Sequence, residues 1–113
     1  GVNQLPYVVS CANGSDALYL ALKTLNIGPG DEVITTPFTY IATSESIIRA
    51  GATPVFVDIE SDTFNMDVSQ LESVLTPNTK AVMPVHLFGL PANMPAIMAF
   101  ASKHSLKVIE DCA

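Results

Sequence analysis

A chain of 113 residues with 49% hydrophobic and only 14% charged residues is long enough for one core and too apolar to be disordered. Its formal charge of −6, five Lys plus Arg against eleven Asp plus Glu, argues against nucleic acid or an anionic membrane as partner. No apolar run approaches a membrane span, and Gly1-Val2-Asn3-Gln4 puts no basic region ahead of a hydrophobic one, so a soluble, cytoplasmic protein is expected.

Along the chain, short β-branched runs alternate with helical spacing. Tyr7 to Cys11 reads as a strand, and Ser15 to Leu25 as a helix with Ala17, Leu18, Ala21, Leu22 and Leu25 on one stripe. Ile27-Gly28-Pro29-Gly30-Asp31 stops that helix with its glycines and proline, and Glu32 to Thr36 is the second strand. Pro37 breaks this strand. Tyr40 to Ala50 then carries helical spacing up to Gly51, a left-handed cap, and Thr53 to Val57 is the third strand. The polar stretch Asp58 to Asp67 reads as a surface excursion. Val68 to Leu75 is a short helix ended by Thr76-Pro77-Asn78-Thr79, Ala81 to Val85 the fourth strand, Met94 to His104 the last helix, and Lys107 to Glu110 the fifth strand.

Strands joined by helical crossovers pair in parallel, because such connections return the chain in the same direction. All carboxyl ends then share one edge, the edge at which open α/β sheets bind ligands. On it the sequence places Asn13-Gly14-Ser15-Asp16, Thr36-Pro37-Phe38-Thr39-Tyr40, Asp58, His86 and Asp111.

Each of these residues has a plain reading beside a functional one. Asn13-Gly14-Ser15 is an ordinary helix cap or a seat for a phosphate on free amides and the positive end of the dipole. Phe38 and Tyr40 pack into the core or cover a flat ligand, and His86 is a hydrogen-bonded structural histidine or a crevice residue. Asp111 stands out, since a carboxylate after Val108-Ile109 needs a partner. That partner is a cationic ligand atom, an unseen Lys or Arg, or the amides of a following helix. Asp58 begins a polar loop and reads as solvated. Cys11 and Cys112 show no metal-ligand spacing, so no metal is expected; reduced thiols are the plain reading, and their positions at strand ends leave a pairing open.

A phosphate seat, a ring-covering aromatic and a carboxylate for a ring nitrogen together describe pyridoxal phosphate on a parallel sheet. The runs Asn13-Gly14-Ser15-Asp16-Ala17-Leu18, Ile27-Gly28-Pro29-Gly30-Asp31-Glu32-Val33-Ile34, Thr36-Pro37-Phe38-Thr39-Tyr40, Gly51-Ala52-Thr53-Pro54-Val55-Phe56-Val57-Asp58, Pro84-Val85-His86-Leu87-Phe88-Gly89 and Val108-Ile109-Glu110-Asp111-Cys112-Ala113 resemble the DegT/DnrJ/EryC/StrS-type sugar aminotransferases. The resemblance implies a three-layer α/β/α fold with a mostly parallel sheet, residues 1–113 forming an incomplete large domain of a fold type I, pyridoxal phosphate-dependent transferase. It implies that Gly14, Ser15 and the amide of Asp16 hold the cofactor phosphate, Tyr40 stacks on the ring and Asp111 pairs with the protonated ring nitrogen, Asn13 and His86 supporting.

The family's Schiff-base lysine matches none of Lys23, Lys80, Lys103 and Lys107, so no catalytic residue is expected in this segment, which should be inactive alone. The lysine segment and a small C-terminal domain are expected elsewhere in a homodimeric parent enzyme. That parent, by the resemblance, moves an amine from a donor such as glutamate to a nucleotide-linked keto-sugar in amino-sugar and polysaccharide biosynthesis. The alternatives are a non-catalytic α/β module that binds a phosphorylated ligand and another fold type I enzyme.

Overall fold

A computed structural model describes residues 8–12, 14–36, 41–59, 66–86 and 93–112. The elements are β1 (Val8–Ala12), α1 (Ser15–Thr24), β2 (Glu32–Thr35), α2 (Ile41–Arg49), β3 (Thr53–Phe56), α3 (Leu71–Val74), β4 (Thr79–Val82), β5 (Val85–His86), α4 (Met94–His104) and β6 (Lys107–Cys112). The strands form one sheet in the order β1-β6-β4-β2-β3, with β5 beside β6, and every ladder is parallel.

Neighbouring residues of the central strands decide the layering, because successive side chains point to opposite faces. Val33, Ala81, Met83 and Ile109 pack with Leu18, Ala21 and Leu22 of α1 and Ile47 of α2. Ile34, Val82 and Val108 pack with Leu71 of α3 and Ile97, Phe100 and Ala101 of α4. The helices therefore cover both faces, and the central strands are apolar at consecutive positions because neither face meets water. The expected three-layer α/β/α arrangement with a parallel sheet is the one observed.

Helix ends show where local chemistry overrides the sequence signal. Ile27-Gly28-Pro29-Gly30-Asp31 is expected to stop α1, yet the left-handed residue is Asn26 (φ 60°). Its N–H donates to the Lys23 carbonyl at 3.0 Å and the Ile27 N–H to the Leu22 carbonyl at 3.0 Å, the paired bonds of a Schellman motif. Gly28 to Asp31 forms the next turn, with the Asp31 N–H on the Gly28 carbonyl and the Gly28 N–H on Asp31 Oδ2, both at 3.0 Å. Gly51 (φ 92°) closes α2 in the expected left-handed form, its N–H on the Ile48 carbonyl at 2.9 Å and that of Ala52 on Ile47 at 3.1 Å.

Two expectations are corrected. The fourth strand is not continuous from Ala81 to Val85: β4 starts earlier, at Thr79, and the chain resumes as β5 beyond Met83-Pro84. Pro84 has no N–H to continue a ladder, while its carbonyl accepts from the Asp111 N–H at 3.0 Å and ties the break to β6. The short helix is a 3-10 turn, Val68–Gln70, running into a single turn of α3. The ends of the Asp58 to Asp67 segment are tied together: Ile59 bridges Met66, the Asp67 N–H donates to the Asp58 carbonyl at 2.8 Å, and Met66 is buried. Residues 60–65 lie outside the described residues.

Candidate cofactor site

The carboxyl edge takes its shape first from the turn between β1 and α1. Gly14 holds φ 84° and ψ 159°, backbone angles that residues with a Cβ rarely adopt. It is the N-cap, so the cap provides no side-chain acceptor, and Ser15 is the first helical residue rather than the cap. The first intrahelical bond runs from the Leu18 N–H to the Gly14 carbonyl at 3.1 Å. The amides of Ser15, Asp16 and Ala17 therefore precede any carbonyl partner within the helix, at its positive end.

Asp111 sits near the end of β6 and is only 4% exposed. Two residues beyond Ile109 on a continuous strand, it belongs to the sheet face that α1 and α2 cover. In the β1–β6 ladder it is in register with Ala12, two residues before Gly14, and on the other side Val85 of β5 pairs with it. A buried carboxylate and the open start of α1 are thus brought to one edge and one face.

His86 lies in β5, in register with Cys112. Asn13, Phe38 and Tyr40 lie outside the described residues, as do the side chains of Ser15, His86, Cys11 and Cys112. Asp58 is exposed and exchanges hydrogen bonds with Gln70, its N–H to Oε1 at 3.0 Å and its Oδ2 from Nε2 at 3.3 Å, as suits a surface residue.

Sequence reasoning passed over two features of this side of the molecule. Arg49 Nη1 donates to Asp16 Oδ1 at 2.8 Å, and its Cζ lies 4.3 Å from the centre of the Tyr19 ring. Thr35, fully buried at the end of β2, donates its hydroxyl to the Met83 carbonyl at 3.0 Å. Nothing local in the sequence announces the first contact. The second was visible as a hydroxyl ending an apolar strand.

All four lysines sit away from Asp111. Lys23 and Lys103 are in the last turns of α1 and α4, Lys80 is the second residue of β4, and Lys107 opens β6. Lys107 is four residues before Asp111 on one strand, about 13 Å along the chain. A cleft of about 400 Å³ lined by Leu75, Thr76, Pro77, Thr79, His104 and Leu106 opens on the amino edge, away from the candidate residues. Among the described residues no cluster of His, Cys, Asp or Glu is arranged to hold a metal, and no helix is long and apolar enough to cross a membrane.

The sequence model of the DegT/DnrJ/EryC1/StrS aminotransferase family matches residues 3–113. The chain belongs to this family. It is 57% identical over all of its 113 residues to the UDP-N-acetyl-3-dehydro-alpha-D-glucosamine 3-aminotransferase of Acidithiobacillus ferrooxidans, covering 31% of that protein. It is 51% identical over 95% of its length to GDP-perosamine synthase of Caulobacter vibrioides, covering 29% of it. The structure of NtdA from Bacillus subtilis with bound cofactor PMP superposes on 91% of the chain with a TM-score of 0.85 at 39% identity, covering 24% of that chain. The chain thus spans about a third or less of each of these family members.

Proposed function

We propose that this chain is the central part of the cofactor-binding large domain of a pyridoxal phosphate-dependent aminotransferase acting on nucleotide-linked keto-sugars. The observation that carries the proposal is the pairing of two unlike features at one edge: a glycine-opened helix start suited to a phosphate, and a buried carboxylate on the same face suited to a cationic ring nitrogen. The donor set therefore fits the group.

Gly14 lets the backbone come close to the phosphate, and Ser15 with the amide of Asp16 holds it. Asp111 keeps the ring nitrogen protonated, Tyr40 covers the ring, and Asn13 and His86 support these contacts. When bound, the cofactor supplies an electron sink for a carbon that loses its proton. The residue that moves that proton is assigned to a lysine in the remainder of a longer polypeptide, since Lys23, Lys80, Lys103 and Lys107 all lie away from Asp111. The relatives support a nucleotide-sugar substrate. An amino donor such as glutamate, a homodimeric assembly and a cytoplasmic location complete the reading.

Substituting Asp111→Asn in the complete polypeptide tests it. The variant keeps the fold, and kcat/KM for amine transfer falls by about a hundredfold or more. Unchanged turnover in a folded Asp111→Asn protein sinks the assignment. On the isolated chain, borohydride reduction with pyridoxal phosphate should leave the lysines no more labelled than in unfolded protein; specific labelling of one of them contradicts the placement of the missing lysine.

A further inference from the structure

The Asp16 carboxylate poses a problem for the site just proposed. Its own amide is one of those that begin α1, so a negative side chain stands beside the place where a phosphate is to bind. Two like charges there oppose each other through partly screened solvent. The side chain that resolves this comes from α2.

Arg49 in the last turn of α2 donates from Nη1 to Asp16 Oδ1 at 2.8 Å, and its guanidinium carbon lies 4.3 Å from the centre of the Tyr19 ring. Asp16 and Tyr19 are three apart on α1 and so share a face of that helix. One guanidinium is thereby held by a carboxylate and an aromatic ring of the same helix, its planar fork fixed more firmly than a single surface ion pair fixes it. The contact joins residues 33 apart in sequence and links the first turn of α1 to the end of α2. A pair this exposed, 49% and 87% for the two side chains, contributes little to folding. Its consequence is electrostatic: it cancels the one acidic charge in the first turn of α1.

We propose that Arg49 is a positioning residue for the cofactor phosphate, acting through Asp16 by neutralising its carboxylate and holding it off the amides that open α1. The inference rests on the reading of α1 as the phosphate seat. It makes Arg49 necessary only while Asp16 is charged.

The test measures binding of pyridoxamine phosphate, which has no aldehyde and so reports the non-covalent seat, to the complete polypeptide at about 20 mM and about 500 mM salt. Arg49→Gln weakens binding about three- to fivefold at the lower salt, and the loss shrinks at the higher salt where charges more than about 4 Å apart are screened. Adding Asp16→Asn, which removes the charge and keeps the backbone amide, to Arg49→Gln restores most of the affinity that Arg49→Gln loses. A merely structural role predicts the opposite for the double variant, because both lose the helix-to-helix contact. The proposal is overturned if Arg49→Gln binds normally, or if the double variant stays as weak as Arg49→Gln. Gly14→Ala separates this failure from failure of the seat itself: if it too leaves affinity unchanged, the phosphate reading falls; if it alone weakens binding, only the role of Arg49 falls.

Discussion

Among the described residues, the turns at the amino edge of the sheet close on their own backbone and side-chain groups, whereas at the carboxyl edge α1 opens on a glycine that offers no side-chain cap. Before β2, Asp31 bonds back to Gly28 from both its amide and its side chain. Before β3, Gly51 and Ala52 return their amides to α2. Before β4, the Thr76 N–H donates to Thr79 Oγ1 at 2.9 Å, the Thr79 N–H to the Thr76 carbonyl at 3.1 Å, and the Thr76 hydroxyl to Glu32 Oε1 at 2.9 Å. Opposite these stand a helix start capped by a glycine with no side chain and the buried Asp111. Local satisfaction serves stability. A helix start without a side-chain cap, opened by a residue at angles that side chains rarely adopt, costs stability, and such cost is retained where a site needs it.

Two glycines put this contrast to its strongest test. At Gly51 the backbone is left-handed, and an added Cβ lies 3.0 Å from both Cδ and Cγ of Pro29. Gly51→Val should therefore destabilise by about 2–4 kcal/mol in urea denaturation, through backbone strain and crowding together, with pyridoxamine phosphate affinity unchanged. At Gly14 a Cβ meets nothing within 4 Å, so Gly14→Ala costs only its backbone conformation, about 1–3 kcal/mol. Here affinity should fall as well, since any relaxation of that strain turns the α1 amides away. Equal effects of the two variants on affinity would erase the distinction between the edges.

A gain is expected where a helix ends without glycine. Ser105 closes α4 at φ 58°, with the Leu106 N–H on the Ala101 carbonyl at 2.8 Å. Ser105→Gly removes the steric cost of that conformation and should stabilise by about 0.5–1 kcal/mol, read as a higher urea midpoint at constant slope. A loss of stability would mean that the serine makes a contact worth more than its strain.

What could be read in the sequence follows the same divide. Periodicities of two and 3.6 gave the order of helices and strands because both faces of the sheet are apolar, and Val33-Ile34 and Val108-Ile109 carry that signal directly. Pro84 announced the end of β4 by its missing N–H, although the apolar run hid it. Asn26 was masked by the stronger glycine signals that follow it. Asp111 was legible because an acid ending an apolar strand is costly, whereas the sequence Asn13-Gly14-Ser15 hid which residue caps α1. Only the backbone angles of Gly14 resolve that. Arg49 had no local signature, because its partner is 33 residues away.

The smallest effect lies on the amino side, next to the cleft, and separates its charges from those at the start of α1. Glu72 on α3 accepts from Lys103 Nζ at 3.2 Å and contacts His104 Nε2 through both oxygens at 3.1 Å, while the His104 ring lies 4.9 Å from that of Phe100. The bond to His104 first, and that to Lys103 second, hold the Glu72 carboxyl below its ordinary range. A carboxyl lowered in the folded state adds stability above its unfolded value of about 4.3, and that contribution disappears as pH falls through the folded value. Glu72→Gln should therefore lower Tm by about 1 °C at pH 6, with the difference from the parent closing as the pH drops below 4. Because both partners lie on α4 and none touches α1, pyridoxamine phosphate affinity should stay constant while Tm moves. If Glu72→Gln weakened binding as Arg49→Gln is expected to, the effect at Arg49 would reflect general loosening of the helices, and the charge at Asp16 would lose its special place.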